Sequence, residues 1–381
     1  MSTHGASDVE VAVIGAGVVG CATALALARR GVSVAVLEAE RAPCLAASGS
    51  NSGILHTGFD SPPGELETDL ILRSAVLRPS VLDALKVPVL RCGALMRPSD
   101  ARERGAVAAL AANARRNRVQ VSLGDDGTLV VPGEAVTDPV AYTLSLASAA
   151  EQQGAVLRVD WRVVSISRSA TGLCIRAADG EALRCRFAVN CAGLGADSVA
   201  RLVGDDSFEI YPRKGEFLVF EPDGQASLER ILLPVPRADT KGVLVFPTLD
   251  GKIVAGPTAV DQLDKDDWSV RSQAREEILR KVSAMFPSLS GAEPIAAYAG
   301  LRPAGRGVNY MIGISAACPR LINVAAIRST GLTASLAIAE RACDLVERAG
   351  VPVGSERPLA PGVTSGGDGP WWRRVADYRS R

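Results

Sequence analysis

The sequence predicts an α/β protein of two lobes, in which a parallel-sheet lobe is interrupted by an inserted, mainly antiparallel lobe. Two patterns lead to this prediction. A strand, a glycine-rich turn, a helix and a second strand occupy the first 38 residues, and strand ends rich in small residues return later in the chain. Between them, short alternating runs are joined by turns, which is typical of antiparallel strands. The length of 381 residues accommodates two lobes.

Composition restricts the class of function. Lys and Arg together number 42, as do Asp and Glu, so the net charge gives no reason to expect a nucleic acid or an anionic membrane as partner. The apolar fraction of 47% indicates a globular fold. The eight cysteines include no Cys-x-x-Cys pair. We therefore expect buried free thiols, a reducing cytoplasmic location and no metal site.

The N-terminal elements form a predicted parallel βαβ unit. A strand at Glu10–Ile14 is followed by the turn Gly15–Gly20, a helix at Cys21–Arg30 and a second strand at Val32–Leu37. Glu38 ends that strand, 18 positions after the last glycine of the turn. The turn has the form G-x-G-x-x-G, and in this context it predicts dinucleotide binding by a Rossmann-type domain.

Each residue of this motif has a predicted task. Gly15 permits the tight turn, Gly17 lets backbone N–H groups approach the pyrophosphate, and Gly20 lets the helix pack closely on the strand. Glu38 accepts hydrogen bonds from the ribose hydroxyls, and its charge disfavours the 2′-phosphate of NADP. The motif leaves FAD and NAD open, so the rest of the chain has to decide between them.

Small-residue segments alternate with regular elements in the remaining chain, beginning with Ala46–Gly58. The predicted helices are Leu66–Leu85, Ala101–Asn117, Pro139 to about Gln153, and Leu332–Arg348. The predicted strands are Val156–Ser167, Leu173–Ala177, Ala188–Ala192, Gly215–Phe220, Val243–Pro247, Lys252–Gly256 and Leu321–Ile327. We assign residues 1–85, 136–205 and 296–350 to the dinucleotide-binding lobe, 86–135 and 206–295 to the inserted lobe, and 351–381 to a C-terminal tail.

Five segments together carry a resemblance to a known family. They are the glycine turn with Glu38, Asn51–Gly58, Asn190–Gly193, Gly300–Pro303 and Ser329–Thr333. The sequence resembles the FAD-dependent oxidoreductases that include D-amino acid oxidase and sarcosine oxidase. Within that family it is most similar to the glycerol-3-phosphate dehydrogenases and oxidases, with the L-2-hydroxyglutarate enzymes close behind. Tyr211–Phe217, Gly256–Ala259, Asp261 and Asp264-Lys265 favour the former branch.

The resemblance implies that FAD is the cofactor and that the substrate carbon transfers hydride to flavin N5. It further implies that His56 is the catalytic base and that Arg302 lies beside flavin and substrate, with Ser52, Lys265 and Ser329 as weaker substrate contacts. The cofactor contacts it implies are Gly15, Gly17, Gly20, Glu38, Ser48, Asn51, Gly53, Ala192, Gly193, Gly300, Thr330, Gly331, Leu332 and Thr333.

The residues also allow less specific interpretations. His56 is one of two histidines, and His4 lies near the N-terminus in a segment without predicted structure. His56 has the side-chain chemistry for proton transfer near neutral pH, but it also fits a purely structural role in the glycine-rich loop. Arg302 suits bidentate binding of phosphate or carboxylate, and a structural ion pair is its alternative. For Lys265, the alternative is a solvated charged loop.

We therefore expect an FAD-dependent enzyme that oxidises a small anionic 2-hydroxy compound, with glycerol 3-phosphate favoured. The alternatives are L-2-hydroxyglutarate, or an amine or amino acid; a binding or RNA-modifying flavoprotein is disfavoured. The electron acceptor stays open between oxygen, a quinone and a protein. We expect no covalent bond from Cys44 or His56 to the flavin. The Trp371-Trp372 tail leaves open a peripheral position at the inner membrane face, packing on the body, or an oligomer contact.

Overall fold

The computed structural model describes residues 8–222, 228–236, 242–360 and 369–379, so His4 lies outside the described residues. The strands, in chain order, are β1 (Val9–Ile14), β2 (Val34–Leu37), β3 (Ile54–Leu55), β4 (Val89–Leu90), β5 (Ala94–Met96), β6 (Ser122–Leu123), β7 (Leu129–Val131), β8 (Ala135–Thr137), β9 (Val156–Arg158), β10 (Val163–Arg168), β11 (Leu173–Ala177), β12 (Ala182–Asn190), β13 (Ile210–Phe220), β14 (Ile231–Leu233), β15 (Leu244–Pro247), β16 (Ile253–Gly256), β17 (Val260–Asp261), β18 (Ala296–Gly305), β19 (Met311–Ile314) and β20 (Leu321–Ala325). The α-helices are α1 (Val18–Ala28), α2 (Leu66–Ala84), α3 (Ala101–Arg116), α4 (Pro139–Gln152), α5 (Ala196–Arg201), α6 (Ser272–Met285), α7 (Gly331–Arg348) and α8 (Trp371–Arg379).

The first sheet contains a parallel core in the order β9-β2-β1-β12-β20. The predicted strand–turn–helix–strand unit is present as β1, α1 and β2. The last four residues of β1, Val11–Ile14, are buried on both faces of the sheet, as expected for a parallel strand covered on both sides. Val11 and Val13 pack with α1, α4 and α7, whereas Ala12 and Ile14 pack with β10 and β11. The predicted α/β class is confirmed.

One predicted strand is two strands in the structure. Val156–Ser167 divides into β9, which pairs in parallel with β2, and β10, which pairs antiparallel with β11. The chain turns between them at Asp160, whose φ of 52° lies in the left-handed region. The prediction of one strand was wrong because alternation alone does not reveal that the two halves join different neighbours.

Among the described residues, the second sheet has nine strands and is mainly antiparallel, in the order β17-β13-β16-β15-β14-β5-β7-β6, with β18 on β13. The pairing of β18 with β13 extends from Ile210 opposite Gly305 to Val219 opposite Ala296. Residues 296–305 therefore belong to this sheet, although the lobe division predicted from the sequence places them with the dinucleotide-binding lobe. Apart from this strand, that division into lobes remains a proposal.

A small third sheet, in the order β3-β8-β4, connects the segment Ala46–Gly58 to the chain before α4. In its register, Ile54 lies opposite Val136 and Leu55 opposite Ala135. The next pair in this antiparallel register is His56 with Glu134. The sheet therefore brings together two ionisable residues that are 78 positions apart.

The C-terminal tail packs on the body of the protein. Trp371 and Trp372 begin α8, and only 4% and 5% of their surfaces are exposed. Trp371 meets the Tyr298 ring of β18 edge to face, with 5.8 Å between ring centroids. Of the three predicted roles for this tail, the structure contains the packing contact. None of the described helices combines the length and the apolar character needed to cross a membrane.

Candidate active site

A cavity of about 580 Å³ lies at the carboxyl ends of the parallel strands. Its wall includes Ile14 at the end of β1, Leu37 at the end of β2, Cys191 just after β12 and Ala325 at the end of β20. The carboxyl edge of a parallel sheet is where open α/β folds bind ligands.

The glycine turn brings the N-terminus of α1 to this cavity. Gly15 has a φ of 102°, and a Cβ atom there would lie 2.6 Å from the carbonyl oxygen of Cys191. A Cβ atom on Gly20 would overlap the carbonyl oxygen of Gly15. Both positions therefore require glycine, because one needs the backbone conformation and the other the close packing. Gly17 and Val18, at the start of α1, line the cavity.

Glu38 lies in the cavity wall at the end of β2. Its carboxylate accepts hydrogen bonds from the backbone N–H groups of Ala16 at 2.6 Å and Glu40 at 3.0 Å. Burial outweighs these bonds and raises the pKa of Glu38 above its ordinary value. A helix N-terminus and a carboxylate at two points of one cavity fit the pyrophosphate and the ribose of a dinucleotide, so the residues present fit FAD.

The structure divides the predicted cofactor contacts into two groups. Nine line the cavity, namely Gly15, Gly17, Glu38, Ser48, Asn51, Ala192, Gly193, Gly331 and Leu332. Five lie outside the lining, namely Gly20, Gly53, Gly300, Thr330 and Thr333.

Residues of the second group contact the segment Ala46–Gly58, which contains the lining residues Ser48 and Asn51. Gly53 has a φ of 78°, and a Cβ atom there would overlap the carbonyl oxygen of Thr137. At Gly300 on β18, an added Cβ atom would come within 2.9 Å of the carbonyl oxygen of Ser50. Thr333 Oγ1 accepts a hydrogen bond from the backbone N–H of His56 at 3.1 Å. The segment Ala46–Gly58 is therefore fixed between β18, α7 and β8.

Glu134 forms a pair with His56. The His56 Nδ1 atom lies 3.0 Å from Glu134 Oε2, and Glu134 is fully buried. The other oxygen, Oε1, accepts bonds from the backbone N–H of Thr57 at 2.6 Å and from its hydroxyl at 2.8 Å. Although burial opposes ionisation, the His56 ring and the Thr57 donors hold the pKa of Glu134 below its ordinary value. The carboxylate is thus ionised and accepts a hydrogen from Nδ1.

Arg78 of α2 fixes the backbone around this pair. Its guanidinium is buried and donates to the carbonyl oxygens of His56 at 2.9 Å and Thr333 at 2.8 Å. Burial lowers the pKa of Arg78 from its ordinary value. One side chain therefore connects the loop that carries His56 with the first turn of α7, whose residues Gly331 and Leu332 line the cavity.

Arg302 lies on β18 and is held by backbone carbonyl groups. It donates to Arg213 at 3.1 Å, to Lys214 at 3.1 Å and to Thr258 at 2.6 Å. Burial lowers its pKa to about 10, so the guanidinium remains charged at neutral pH. No ion pair within the described part of the chain includes Arg302. The structural ion pair considered from the sequence is therefore absent there, and the half-buried guanidinium has no described carboxylate at ion-pair distance.

The three weaker substrate candidates occupy different surroundings. Lys265 lines the cavity, but its Nζ is paired at 2.7 Å with Asp197, a carboxylate that is only 2% exposed. The Ser52 hydroxyl accepts a bond from the backbone N–H of Ile54 at 3.4 Å. The Ser329 carbonyl accepts a bond from Asn51 Nδ2 at 3.3 Å. None of the three contacts gives direct support for substrate binding, and their roles stay predictions.

The cavity wall contains two cysteines, Cys44 and Cys191. Cys44 is buried, and burial raises the pKa of its thiol to about 12. Such a thiol is protonated and weakly nucleophilic at neutral pH. All eight cysteines are unpaired thiols, and six of them are buried.

Glu134 and Arg78 were not predicted from the sequence. Glu134 lies in a turn between two strand-like runs, and Arg78 is one of several charged residues of a long helix. The only signal for Glu134 is its place in the register opposite His56, which requires knowing that β3 pairs with β8.

Comparison with known proteins agrees with this architecture. The model of the FAD dependent oxidoreductase (DAO) family matches residues 10–345 of the chain, which confirms the resemblance found in the motifs. The solved structure of dithionite-reduced L-α-glycerophosphate oxidase from Mycoplasma pneumoniae, with FAD bound, superimposes with a TM-score of 0.86 at 25% identity. The superposition covers 93% of this chain and 98% of that one.

Two curated proteins illustrate the range of relatives. A glycerol 3-phosphate dehydrogenase of Caloramator mitchellensis is 28% identical over 354 residues, covering 89% of this chain and 74% of that protein. The mitochondrial L-2-hydroxyglutarate dehydrogenase of Bos taurus is 29% identical over 284 residues, covering 67% of this chain and 61% of that protein.

Proposed function

This chain belongs to the FAD-dependent oxidoreductase family, and we propose that it oxidises glycerol 3-phosphate or a closely similar anionic 2-hydroxy compound. At the coarser level it is an FAD-dependent enzyme of the glycerol-3-phosphate dehydrogenase and oxidase type. The observation that carries the substrate proposal is the His56–Glu134 pair, because oxidation of an alcohol requires a base for the hydroxyl proton.

The pair supplies an oriented base. Glu134 accepts a hydrogen from Nδ1, which makes Nε2 the basic nitrogen of the imidazole. As the hydroxyl proton arrives at Nε2, the buried carboxylate stabilises the positive charge that forms on the ring. Bound FAD supplies the acceptor for the hydride that leaves the substrate carbon. Arg78 and Thr333 keep the His56 backbone in place, so the ring is oriented before the substrate binds.

Arg302 supplies the charge for an anionic substrate. The Nε and Nη2 hydrogens of its guanidinium go to backbone carbonyls, which leaves the Nη1 group to donate to a phosphate or carboxylate oxygen. Three backbone carbonyls orient it, and no carboxylate of the described residues forms an ion pair with it. A phosphate at Arg302 would compensate this charge. Glycerol 3-phosphate combines such a group with a secondary alcohol.

L-2-hydroxyglutarate is the second candidate. The mitochondrial L-2-hydroxyglutarate dehydrogenase of Bos taurus is as similar in identity as the glycerol 3-phosphate dehydrogenase, although over a shorter aligned length. A guanidinium binds a carboxylate as well as a phosphate, so Arg302 does not separate the two substrates. The cytoplasmic location stays a prediction from cysteine usage.

Anaerobic reduction of the bound flavin tests the proposal. Glycerol 3-phosphate, L-2-hydroxyglutarate and a set of amino acids are added separately, and flavin absorbance is followed. We expect bleaching by glycerol 3-phosphate. Bleaching only by L-2-hydroxyglutarate would support the second candidate, and bleaching only by amino acids would refute both.

A variant tests the role of His56. His56→Ala is expected to retain FAD and to slow bleaching by about 10²–10⁴-fold, the usual contribution of a general base. Arg73→Ala serves as the matched control, because it removes an ion pair with Glu340 from the exposed surface. Bleaching of the His56→Ala flavin at the native rate would exclude His56 as the base.

A further inference from the structure

The C-terminal helix lies beyond the family match and nevertheless reaches the cofactor cavity. The family model ends at residue 345, whereas α8 spans Trp371–Arg379. Its last residue, Arg379, lines the cavity. This helix contributes to the cavity wall a side chain that none of the family motifs contains.

Helix α8 holds the loop that follows β2. Arg374 donates to the carbonyl of Pro43 at 3.2 Å, and Arg379 Nε donates to the carbonyl of Leu45 at 3.2 Å. Tyr378 and Arg379 donate to Glu40 at 2.6 and 3.2 Å. Although burial opposes ionisation, these bonds hold the pKa of Glu40 below its ordinary value. Because Glu40 and Leu45 line the cavity, α8 fixes part of its wall.

Arg379 also contacts Trp268, which belongs to the segment between β17 and α6. The Arg379 guanidinium carbon lies 5.0 Å from the centre of the Trp268 ring, within the range of a cation–π contact. Trp268 also lines the cavity. The two side chains therefore join the C-terminal helix, the loop after β2 and the inserted segment across one part of the cavity wall.

The Trp268 indole N–H is buried and has no acceptor among the described residues. Leaving a buried donor without an acceptor is unfavourable, and native proteins rarely do so unless a ligand or water completes the bond. The indole N–H of Trp161, in contrast, has an acceptor. Trp161 also lines the cavity, but its indole N–H donates to Glu181 at 3.0 Å. The indole N–H groups of Trp371 and Trp372 also lack acceptors among the described residues, but neither residue lines the cavity, so Trp268 is the one of the three whose donor lies next to a ligand there.

We propose that Trp268 and Arg379 form a clasp that retains FAD. In this clasp the Trp268 indole N–H donates to a phosphate or ribose oxygen of the bound cofactor, and Arg379 holds the Trp268 ring and the loop carrying Glu40 against it. Retention of the cofactor is a separate property from the choice of substrate. The proposal therefore goes beyond the proposed function and does not depend on it.

The test measures FAD release from the purified holoenzyme, by the increase of flavin fluorescence after dilution and by the dissociation constant obtained on titrating FAD back. Trp268→Phe keeps an aromatic ring for Arg379 and removes the N–H together with part of the indole. Arg379→Ala removes the connection to Glu40, Leu45 and Trp268. Arg373→Ala is the matched control, because Arg373 is an exposed arginine on the same helix.

We expect the dissociation constant for FAD to rise at least fivefold in Trp268→Phe and at least tenfold in Arg379→Ala, and to stay within twofold in Arg373→Ala. Thermal unfolding of each apoprotein is measured in parallel. A Trp268→Phe variant with native unfolding and native FAD affinity would overturn the indole bond. If Arg379→Ala weakens FAD binding no more than Arg373→Ala does, the clasp is refuted.

Discussion

Glu134→Gln isolates the contribution of one buried negative charge to the proposed chemistry. The substitution keeps the size and shape of the side chain. In the native protein, Oε1 accepts two hydrogen bonds from Thr57 and Oε2 accepts one from His56. A glutamine has one acceptor oxygen and one NH₂ donor. Because the backbone N–H of Thr57 can only donate, the amide oxygen is expected to face Thr57 and the NH₂ group to face His56.

This arrangement changes the tautomer of the imidazole. With an NH₂ group opposite it, Nδ1 must accept, so that the ring hydrogen moves to Nε2 and the basic nitrogen points away from the substrate. The ring also loses the carboxylate that stabilises its positive charge. A hydrogen bond to a charged group contributes about 1.5–3 kcal/mol. At about 1.4 kcal/mol per factor of ten, flavin reduction should slow by roughly 10- to 150-fold.

The assay is anaerobic stopped-flow reduction of the flavin in Glu134→Gln, His56→Ala and the double variant. If Glu134 acts through His56, the two effects are strongly non-additive, and the double variant is no slower than His56→Ala. FAD content and thermal unfolding are measured for each protein to separate catalysis from stability.

Two results would refute this reasoning. One is a Glu134→Gln enzyme that reduces its flavin at the native rate. The other is a double variant that is slower than His56→Ala by the full factor seen in Glu134→Gln, because Glu134 would then act independently of the imidazole.

Four further outcomes are expected. Gly20→Ala should abolish FAD binding or destabilise the protein by about 1–3 kcal/mol, since its Cβ would overlap the Gly15 carbonyl; unchanged FAD content and melting temperature would contradict this. Arg302→Lys should lower kcat/KM for glycerol 3-phosphate at least tenfold, mainly through KM and without loss of FAD, because an ammonium has three hydrogens and cannot donate to the three carbonyls and to the anion as well. The pKa of Glu134 is lowered by folding, so its stabilising contribution is complete above its unfolded pKa of about 4.3 and is lost as the pH falls through the lower folded value; the stability difference between native protein and Glu134→Gln should therefore shrink on acidification in urea unfolding. Denaturation should release all of the FAD, because the Cys44 thiol with a pKa of about 12 is not a nucleophile at neutral pH; flavin that remains with the protein would contradict this.

Local sequence signals predicted the elements that depend on local geometry. The turn Gly15–Gly20 requires glycine for its backbone and its packing, and both requirements are visible in the motif. Glu38 was predicted from its distance along the chain, and it lies in the cavity wall. The sequence prediction assigned the residues of β18 to the dinucleotide-binding lobe, because no local pattern shows which strand β18 pairs with. Its neighbour β13 is about 80 residues earlier in the chain.

The same limit applies to Glu134, Trp268 and Arg379. The role proposed for each depends on a contact with residues that are remote in sequence. Glu134 contacts His56, and Trp268 and Arg379 line the cavity.

Arg302 shows how a charged side chain can be interpreted only after its acceptors are known. From the sequence, an anion site was the favoured interpretation of Arg302, and a structural ion pair was the alternative. In the structure its hydrogen bonds go to three carbonyl groups, which orient the guanidinium without neutralising it. Every residue has a backbone carbonyl group, whatever its side chain. The sequence therefore could not predict which carbonyls hold Arg302. Burial lowers the pKa of Arg302 to about 10, which indicates that the charge is unfavourable where it lies. An anionic substrate would relieve that cost, and this is the physical reason for expecting the enzyme to prefer a phosphate-bearing alcohol over a neutral one.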